Sequence, residues 1–253
     1  MNGRVRFSRQ LYQLFGLHRS WTRRYAFHNF NALLNGPPDL DPDVLARSLE
    51  HYRGGYCHEL NSMFKVRLES CGIEVTSCLA RVMYRSAGRV LPPSHLHLLA
   101  RVGERSILCD VGFGNGLLWP IGLDSPRERP QGALSFQVRI SEQGKGLWIC
   151  EREQWDELYR LADGPCSPTE LEAANRYSAS SPDSLFSGNV VLSKYVGGGR
   201  RRLLNQRYVD ETQTTVMLDS RSAFHACLHE QFDLSLKSSE VERLFEIARQ
   251  ASR

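Results

Sequence analysis

Hydrophobic spacing divides the chain into three parts. Up to about residue 80 the apolar positions follow a helical period. Phe7, Leu11, Leu14 and Phe15 share one face of a first helix. In DPDVLARSLEHYRGG, Asp41 caps a helix, Pro42 enters its first turn, Val44, Leu45 and Leu49 form its stripe, and Gly54-Gly55 ends it. ELNSMFKVRLESCG repeats the pattern with Leu60, Met63, Phe64, Val66 and Leu68 and stops at Gly72. From Ile73 the pattern changes to short β runs: IEVTSCLARVMYR, HLHLLARV, SILCDVGF, ALSFQVRI and GLWICERE. Such runs with turns between them suggest a small barrel or sandwich. EQWDELYRL is expected to be a short helix or loop. NVVLSKYVGGGRRRLLNQRYV reads as a hairpin around Gly197-Gly198-Gly199, and SEVERLFEIARQA as an amphipathic helix. No internal repeat or long linker separates the parts, so they are expected to pack as one unit.

One hairpin carries chemistry. In HLHLLARVGERSILCDVGFG, two apolar runs flank Gly103-Glu104, a dipeptide suited to a tight turn. With Val102 and Arg105 as the closing pair, Leu99 faces Leu108 and His97 faces Asp110. Opposed side chains in an antiparallel pair lie roughly 5 Å apart on the same face. This register sets an imidazole beside a carboxylate, the orienting pair of a nucleophilic triad. His95 falls opposite Gly112 and is left without such a partner.

RGGYCHELN supplies a nucleophile. Cys57 stands at the start of a helix, after two glycines that permit close backbone approach. A helix N-terminus and an imidazolium both favour the thiolate, and a backbone N–H there can hold an oxyanion. A buried structural cysteine is the competing reading. His58 follows Cys57 directly, and helical geometry turns its side chain about 100° away, so it is not expected to act as the base.

Composition narrows the rest. The 253 residues are 41% apolar and 24% charged, ordinary for a folded protein. A net charge of +4 is too mild for a nucleic-acid binder, and Arg4, Arg6, Arg9, Arg19, Arg23 and Arg24 read as a solvated helix face. The seven cysteines are scattered with no CxxC, which argues for reduced thiols. Neither a membrane span nor a signal peptide is apparent, so a cytoplasmic location is expected. His95-Leu96-His97, and His225 and His229 around Cys227, have spacings that metals use. No further ligands complete either set, and no metal is expected.

RGGYCHELN, HLLARV and CDVGFGNG together resemble the signatures of the arylamine N-acetyltransferases. Arg53, Gly54, Gly55, Cys57, Glu59, Asn61, His97, Asp110, Gly112, Phe113 and Gly114 carry the likeness. AFHNFNALL and ANRYSASSPDSLFSGNVVLSK extend it through Asn175, Tyr177, Ser180, Pro182, Ser184 and Phe186, so that it covers essentially the whole chain. The resemblance implies an α+β fold: a helical bundle (1–80) with the nucleophile, a β-barrel (81–185) with the His-Asp pair, and an α/β lid (186–253). It implies a cysteine-protease-like Cys57-His97-Asp110 arrangement. It further implies a ping-pong reaction through an acetyl-cysteine, with acetyl-CoA as cosubstrate and an aromatic amine or hydrazine as acceptor. No tightly bound cofactor is implied. Phe27 and Phe186 match acceptor-pocket positions, although each also reads as core. Gly112, Gly114 and Gly116 would shape a loop near the CoA pyrophosphate.

Some positions depart from the family pattern. His28 replaces a Glu that could pair with Arg53, His58 replaces an aromatic, and Leu96 stands where a small polar residue precedes the family's histidine. The hairpin is also about two residues short. These changes keep open an amide synthase of the same fold, which takes acyl groups from a carrier protein. A binding protein that has lost turnover is a further alternative, disfavoured by the complete triad. GGGRRR (197–202) could attract CoA phosphates, but a glycine turn beside a solvated strand is the simpler reading.

Overall fold

The computed structural model describes residues 2–86 and 88–252, with side chains in the first helix from Phe7 onward. Four helices open the chain: α1 (Asn2–Arg24), α2 (Phe30–Asn35), α3 (Pro42–Tyr52) and α4 (Cys57–Ser70). Between them lie two short strands, β1 (Ala26–His28) and β2 (Gly54–Gly55). Asp41 caps α3 by accepting from the Asp43 and Val44 amides, with Pro42 in the first turn. Arg9, Arg19, Arg23 and Arg24 are exposed on α1, whereas the side chains of Arg4 and Arg6 lie outside the described residues.

Eight strands follow: β3 (Glu74–Val82), β4 (His95–Val102), β5 (Arg105–Cys109), β6 (Ile121–Gly122), β7 (Arg129–Gln131), β8 (Leu134–Ser141), β9 (Gly144–Glu151) and β10 (Gln154–Leu161). They pair in the order β6-β5-β4-β3-β10-β9-β8-β7 and curl into a nearly closed barrel. Its interior holds Leu108, Phe136, Leu147, Leu158 and Tyr159. The outer face of β3–β5 packs on Leu14 of α1 and on Leu60, Phe64 and Leu68 of α4. The chain continues through α5 (Pro168–Ser180), β11 (Val191–Val196), β12 (Gly199–Leu204), β13 (Arg207–Val209), β14 (Thr215–Met217), α6 (Arg221–Phe232) and α7 (Ser238–Ala251).

Three expectations need correction. EQWDELYRL is strand β10, which joins β9 to β3 and so bridges the barrel. A register shift between Glu157 and Tyr159 buries Leu158 and Tyr159 in succession, which erases the two-residue alternation. The barrel begins at Glu74 rather than 81. The helical part also contributes strands to the second sheet, whose order is β14-β13-β12-β11-β1-β2. β1 pairs antiparallel with β11 and parallel with β2, so the first and last parts of the chain share one sheet. The β11–β12 hairpin turns at Gly197-Gly198, both with positive φ (58° and 104°), and Gly199 already pairs with Val196.

Candidate active site

Cys57 is the first residue of α4 and is buried. The helix start is held from within: Glu59 Oε2 accepts from the Tyr56 amide at 3.0 Å, and Glu59 Oε1 accepts from Asn31 Nδ2 at 2.9 Å. Burial raises the Glu59 carboxyl to about 7, against these hydrogen bonds. Asn61, one turn on from Cys57, ties three segments together. Its Nδ2 donates to the Leu96 carbonyl at 2.8 Å and to Asp110 Oδ1 at 3.0 Å, and its Oδ1 accepts from the Val111 amide at 3.0 Å.

The expected β4–β5 register is present, with Leu99 opposite Leu108 and Leu98 opposite Cys109. It does not continue to His97 and Asp110, because the chain leaves the ladder after Cys109. The Asp110 amide donates instead to His18 Nε2 of α1 at 3.2 Å, and the Val111 amide to Asn61 of α4. Two helices therefore draw the end of β5 away from β4, and the Asp110 carboxylate turns to His95. His95 Nε2 donates to Asp110 Oδ2 at 2.8 Å, with both groups fully inside the protein. His95 and Cys57 line the same cavity, and with Nε2 taken by Asp110 only Nδ1 of His95 remains for the thiol. His97, expected as the base, meets neither group. It is wholly buried, opposite Cys78 on β3, and neither ring nitrogen has a partner. Burial first, then the neighbouring His95 charge, lowers it to about 3, so it stays neutral.

Electrostatics follow this geometry. Burial opposes the Asp110 charge, but His95, Asn61 and the Gly112 amide hold its carboxyl well below the usual range. Burial likewise opposes an imidazolium at His95, and Asp110 and then Cys57 push it well above an ordinary histidine. Burial raises the Cys57 thiol, yet His58 and His95 together bring it down to about 5. The chain Cys57–His95–Asp110 can therefore hold a thiolate beside an imidazolium.

Cys57 and His95 line a cavity of about 650 Å3 that also includes Phe27, Phe186, Phe113, Gly112 and Gly114. The Phe27 and Phe186 rings lie 5.8 Å apart, centroid to centroid, and both face this cavity. Gly112 is needed for close approach, since a Cβ there would stand 2.6 Å from Cys57 Cα and 2.6 Å from Asn61 Nδ2. Gly112→Ala is expected to displace the thiol and lower turnover by about 100-fold with the fold retained. Steady-state rates beside a circular dichroism spectrum check this. The Gly114 carbonyl accepts from Ser193 Oγ at 2.7 Å and from Arg200 Nη1 at 2.9 Å, and Arg200 also reaches the Gly116 carbonyl. Of the three arginines in GGGRRR, Arg200 thus braces the glycine loop, Arg201 pairs with Glu211, and Arg202 lines the cavity.

Sequence reasoning missed His18 and passed over His95. His18 carries no local signal, because its partners are 92 and 100 residues away. Among the described residues no group of three His, Cys, Asp or Glu side chains could hold a metal. His225 and His229 are exposed on α6. No helix there is long and apolar enough to cross a membrane.

The family model for N-acetyltransferase matches residues 10–241. An arylamine N-acetyltransferase / N-hydroxyarylamine O-acetyltransferase of Salmonella typhimurium is 28% identical over 232 residues, covering 87% of this chain and 81% of the relative. The chain belongs to the arylamine N-acetyltransferase family. Its members are acyltransferases. The Mycobacterium tuberculosis arylamine N-acetyltransferase is 30% identical, covering 72% of this chain and 67% of that one. Among solved structures, the arylamine N-acetyltransferase of Nocardia farcinica superposes with a TM-score of 0.82 at 28% identity, covering 93% of this chain and 87% of that one. The Mycobacterium marinum arylamine N-acetyltransferase in complex with CoA superposes at 0.85 and 21% identity, covering 94% and 93%.

The residue before His95 is Ser94, a small polar one. The departure at His28 has a local explanation. Arg53 finds Asp233 at 3.0 Å instead of a glutamate. His28 is buried, stacked on Phe30 at 4.4 Å, and donates from Nε2 to the Tyr52 carbonyl at 3.1 Å. Because the Arg53–Asp233 pair is exposed, Asp233→Asn, which tolerates the left-handed backbone there, should cost less than about 1 kcal/mol in a urea unfolding titration.

Proposed function

We propose that this protein acetylates an aromatic amine or hydrazine from acetyl-CoA by a ping-pong mechanism through acetyl-Cys57. The observation that carries the reading is the buried Cys57–His95–Asp110 chain opening on an aromatic-lined cavity. Family membership and the CoA-bound Mycobacterium marinum relative support acetyl-CoA as donor.

In the first half-reaction the Cys57 thiolate attacks the thioester carbonyl. The Cys57 S–C bond forms, the CoA S–C bond breaks, and His95 passes its proton to the departing CoA thiolate. Asp110 keeps His95 oriented throughout and balances its charge. The acceptor nitrogen then attacks acetyl-Cys57, His95 takes its proton, and the thiolate departs. Covalent catalysis divides one difficult transfer into two easier ones. The N-terminus of α4 leaves backbone N–H groups without intrahelical partners, suited to the oxyanion that forms in each half. Phe27 and Phe186 offer ring faces to an aromatic acceptor. Arg85, Arg89 and Arg202 at the cavity wall suit the CoA phosphates. Gly112 and Gly114 then serve by shaping the wall beside the thiol rather than by gripping a phosphate.

The carrier-protein alternative loses its footing. It rested on His28, His58 and Leu96. Ser94 now fills the place assigned to Leu96, and His28 is enclosed between Phe30 and the Tyr52 carbonyl.

The test is acetyl-CoA without acceptor. One acetyl group should appear on the peptide containing Cys57, with one equivalent of CoA released, and addition of an aniline should discharge it. An adduct on any other residue, or one that survives Cys57→Ala, would refute the mechanism.

A further inference from the structure

His58 is a buried polar residue that the mechanism above leaves idle. Its ring is wholly inside the protein. Nε2 lies 3.0 Å from the Ser94 carbonyl, and a carbonyl only accepts, so Nε2 carries the proton. Nδ1 is therefore a bare acceptor, and it is buried without a hydrogen-bond partner. Such an orphan destabilises the fold, and an apolar ring of similar size would leave none. The Ser94 carbonyl does not require the histidine either, because Ser178 Oγ of α5 also donates to it, at 3.2 Å. Stability alone thus favours an apolar residue at position 58.

The place of the bond gives the reason for a histidine. It joins the residue after Cys57 to the residue before His95. β5 leaves the ladder after Cys109, so His95, Leu96 and His97 pair with β3 alone. Side chains of α4 hold the side that β5 vacates. His58 and Asn61 lie three residues apart and share a face of that helix. His58 holds the Ser94 carbonyl and Asn61 the Leu96 carbonyl, at 3.0 and 2.8 Å, so the chain is gripped on both sides of His95. Leu96 and Val111 would oppose each other in a continued ladder. The Asn61 carboxamide stands between them, accepting from the Val111 amide and donating to the Leu96 carbonyl. We propose that His58 is a positioning residue for the Cys57–His95 pair: its bond to the Ser94 carbonyl sets the start of β4, and so the imidazole of His95, against the thiol at the start of α4. His58 does not line the cavity, whereas Cys57, Ser94 and His95 do, so it acts through the backbone of its neighbours. Such a strut matters because a misplacement of about 1 Å, from a change away from the reacting atoms, can slow a reaction about 100-fold.

This inference rests on Cys57 as the nucleophile, and its test reads the thiol as well as acetyl transfer. His58→Phe removes the donor and fills the same space, whereas His58→Gln returns an N–H donor. His58→Phe should melt at or above the wild-type temperature. Its Cys57 should nevertheless be acetylated by acetyl-CoA about tenfold more slowly, and the pH midpoint of its alkylation by iodoacetamide should rise. His58→Gln should recover most of both. A His58→Phe protein with the wild-type rate and midpoint overturns the proposal. So does one that loses activity only in step with its melting temperature, or a His58→Gln protein as impaired as His58→Phe. If the variants fail to fold, 15N spectra of the wild-type histidines decide. His58 should be protonated at Nε2 with that proton slow to exchange, and a ring protonated at Nδ1 instead overturns the proposal. An alkylation midpoint that shifts in His58→Phe, in a protein that never takes acetyl from acetyl-CoA, would refute the proposed function and leave this inference standing.

Discussion

His95→Gln should slow acetylation of Cys57 by about 1,000-fold, the range that a positioned general base supplies. His97→Leu should leave that rate within about threefold, since His97 contacts neither sulfur nor carboxylate. Stability separates the two further. His95 neutralises a carboxylate that is wholly inside the protein, so its loss strands a buried charge at a cost of about 3–5 kcal/mol. His97 has two buried ring nitrogens without partners, so an apolar side chain of similar volume should be neutral or stabilising. Single-turnover acetylation and thermal unfolding of the two variants decide the matter. A His97→Leu protein that cannot be acetylated, beside an active His95→Gln protein, would reverse the assignment.

The second large effect concerns pH. Below about 5 Cys57 carries its proton, and the thiolate forms as pH rises through that value. At pH 6 the site is therefore mostly thiolate, a fraction about 300-fold that of an ordinary thiol, and this excess outweighs the lower intrinsic nucleophilicity of a low-pKa thiolate, so Cys57 should react with iodoacetamide faster than an ordinary thiol. Burial pushes Cys78 to about 11 and Cys227 to about 12, and it pushes Cys109 higher still, so these should stay unlabelled. Peptide mapping after brief labelling at pH 6 checks this. The labelling rate of Cys57 should fall about tenfold per pH unit below about 5, as the thiol keeps its proton. Equal labelling of Cys57 and Cys78 at pH 6 would show that the imidazoles do not stabilise the thiolate.

These predictions turn on a point at which strand arithmetic stops. The turn at Gly103-Glu104 and the register through Leu98 and Cys109 were legible, because a hairpin is local and its side chains alternate with a fixed period. The error came one residue later. Asp110 leaves the ladder because its amide is claimed by His18, an atom on another helix that no local pattern reveals. The misassignment of β10 has the same kind of cause, a register shift that breaks the period being counted.

The sequence by itself determined the helical opening and the β-rich middle. It also determined the cap of α3, the position of Cys57 at a helix start, and the family signatures. Each depends on neighbours within a few residues, where propensity, capping and alternation act. Only the tertiary structure decided which histidine meets Asp110, and that the first and last parts of the chain share a sheet. Those outcomes depend on contacts between residues far apart in the chain. The contacts form as α1, α4 and the barrel bury their apolar faces together, and that packing carries Asp110 past His97 to His95.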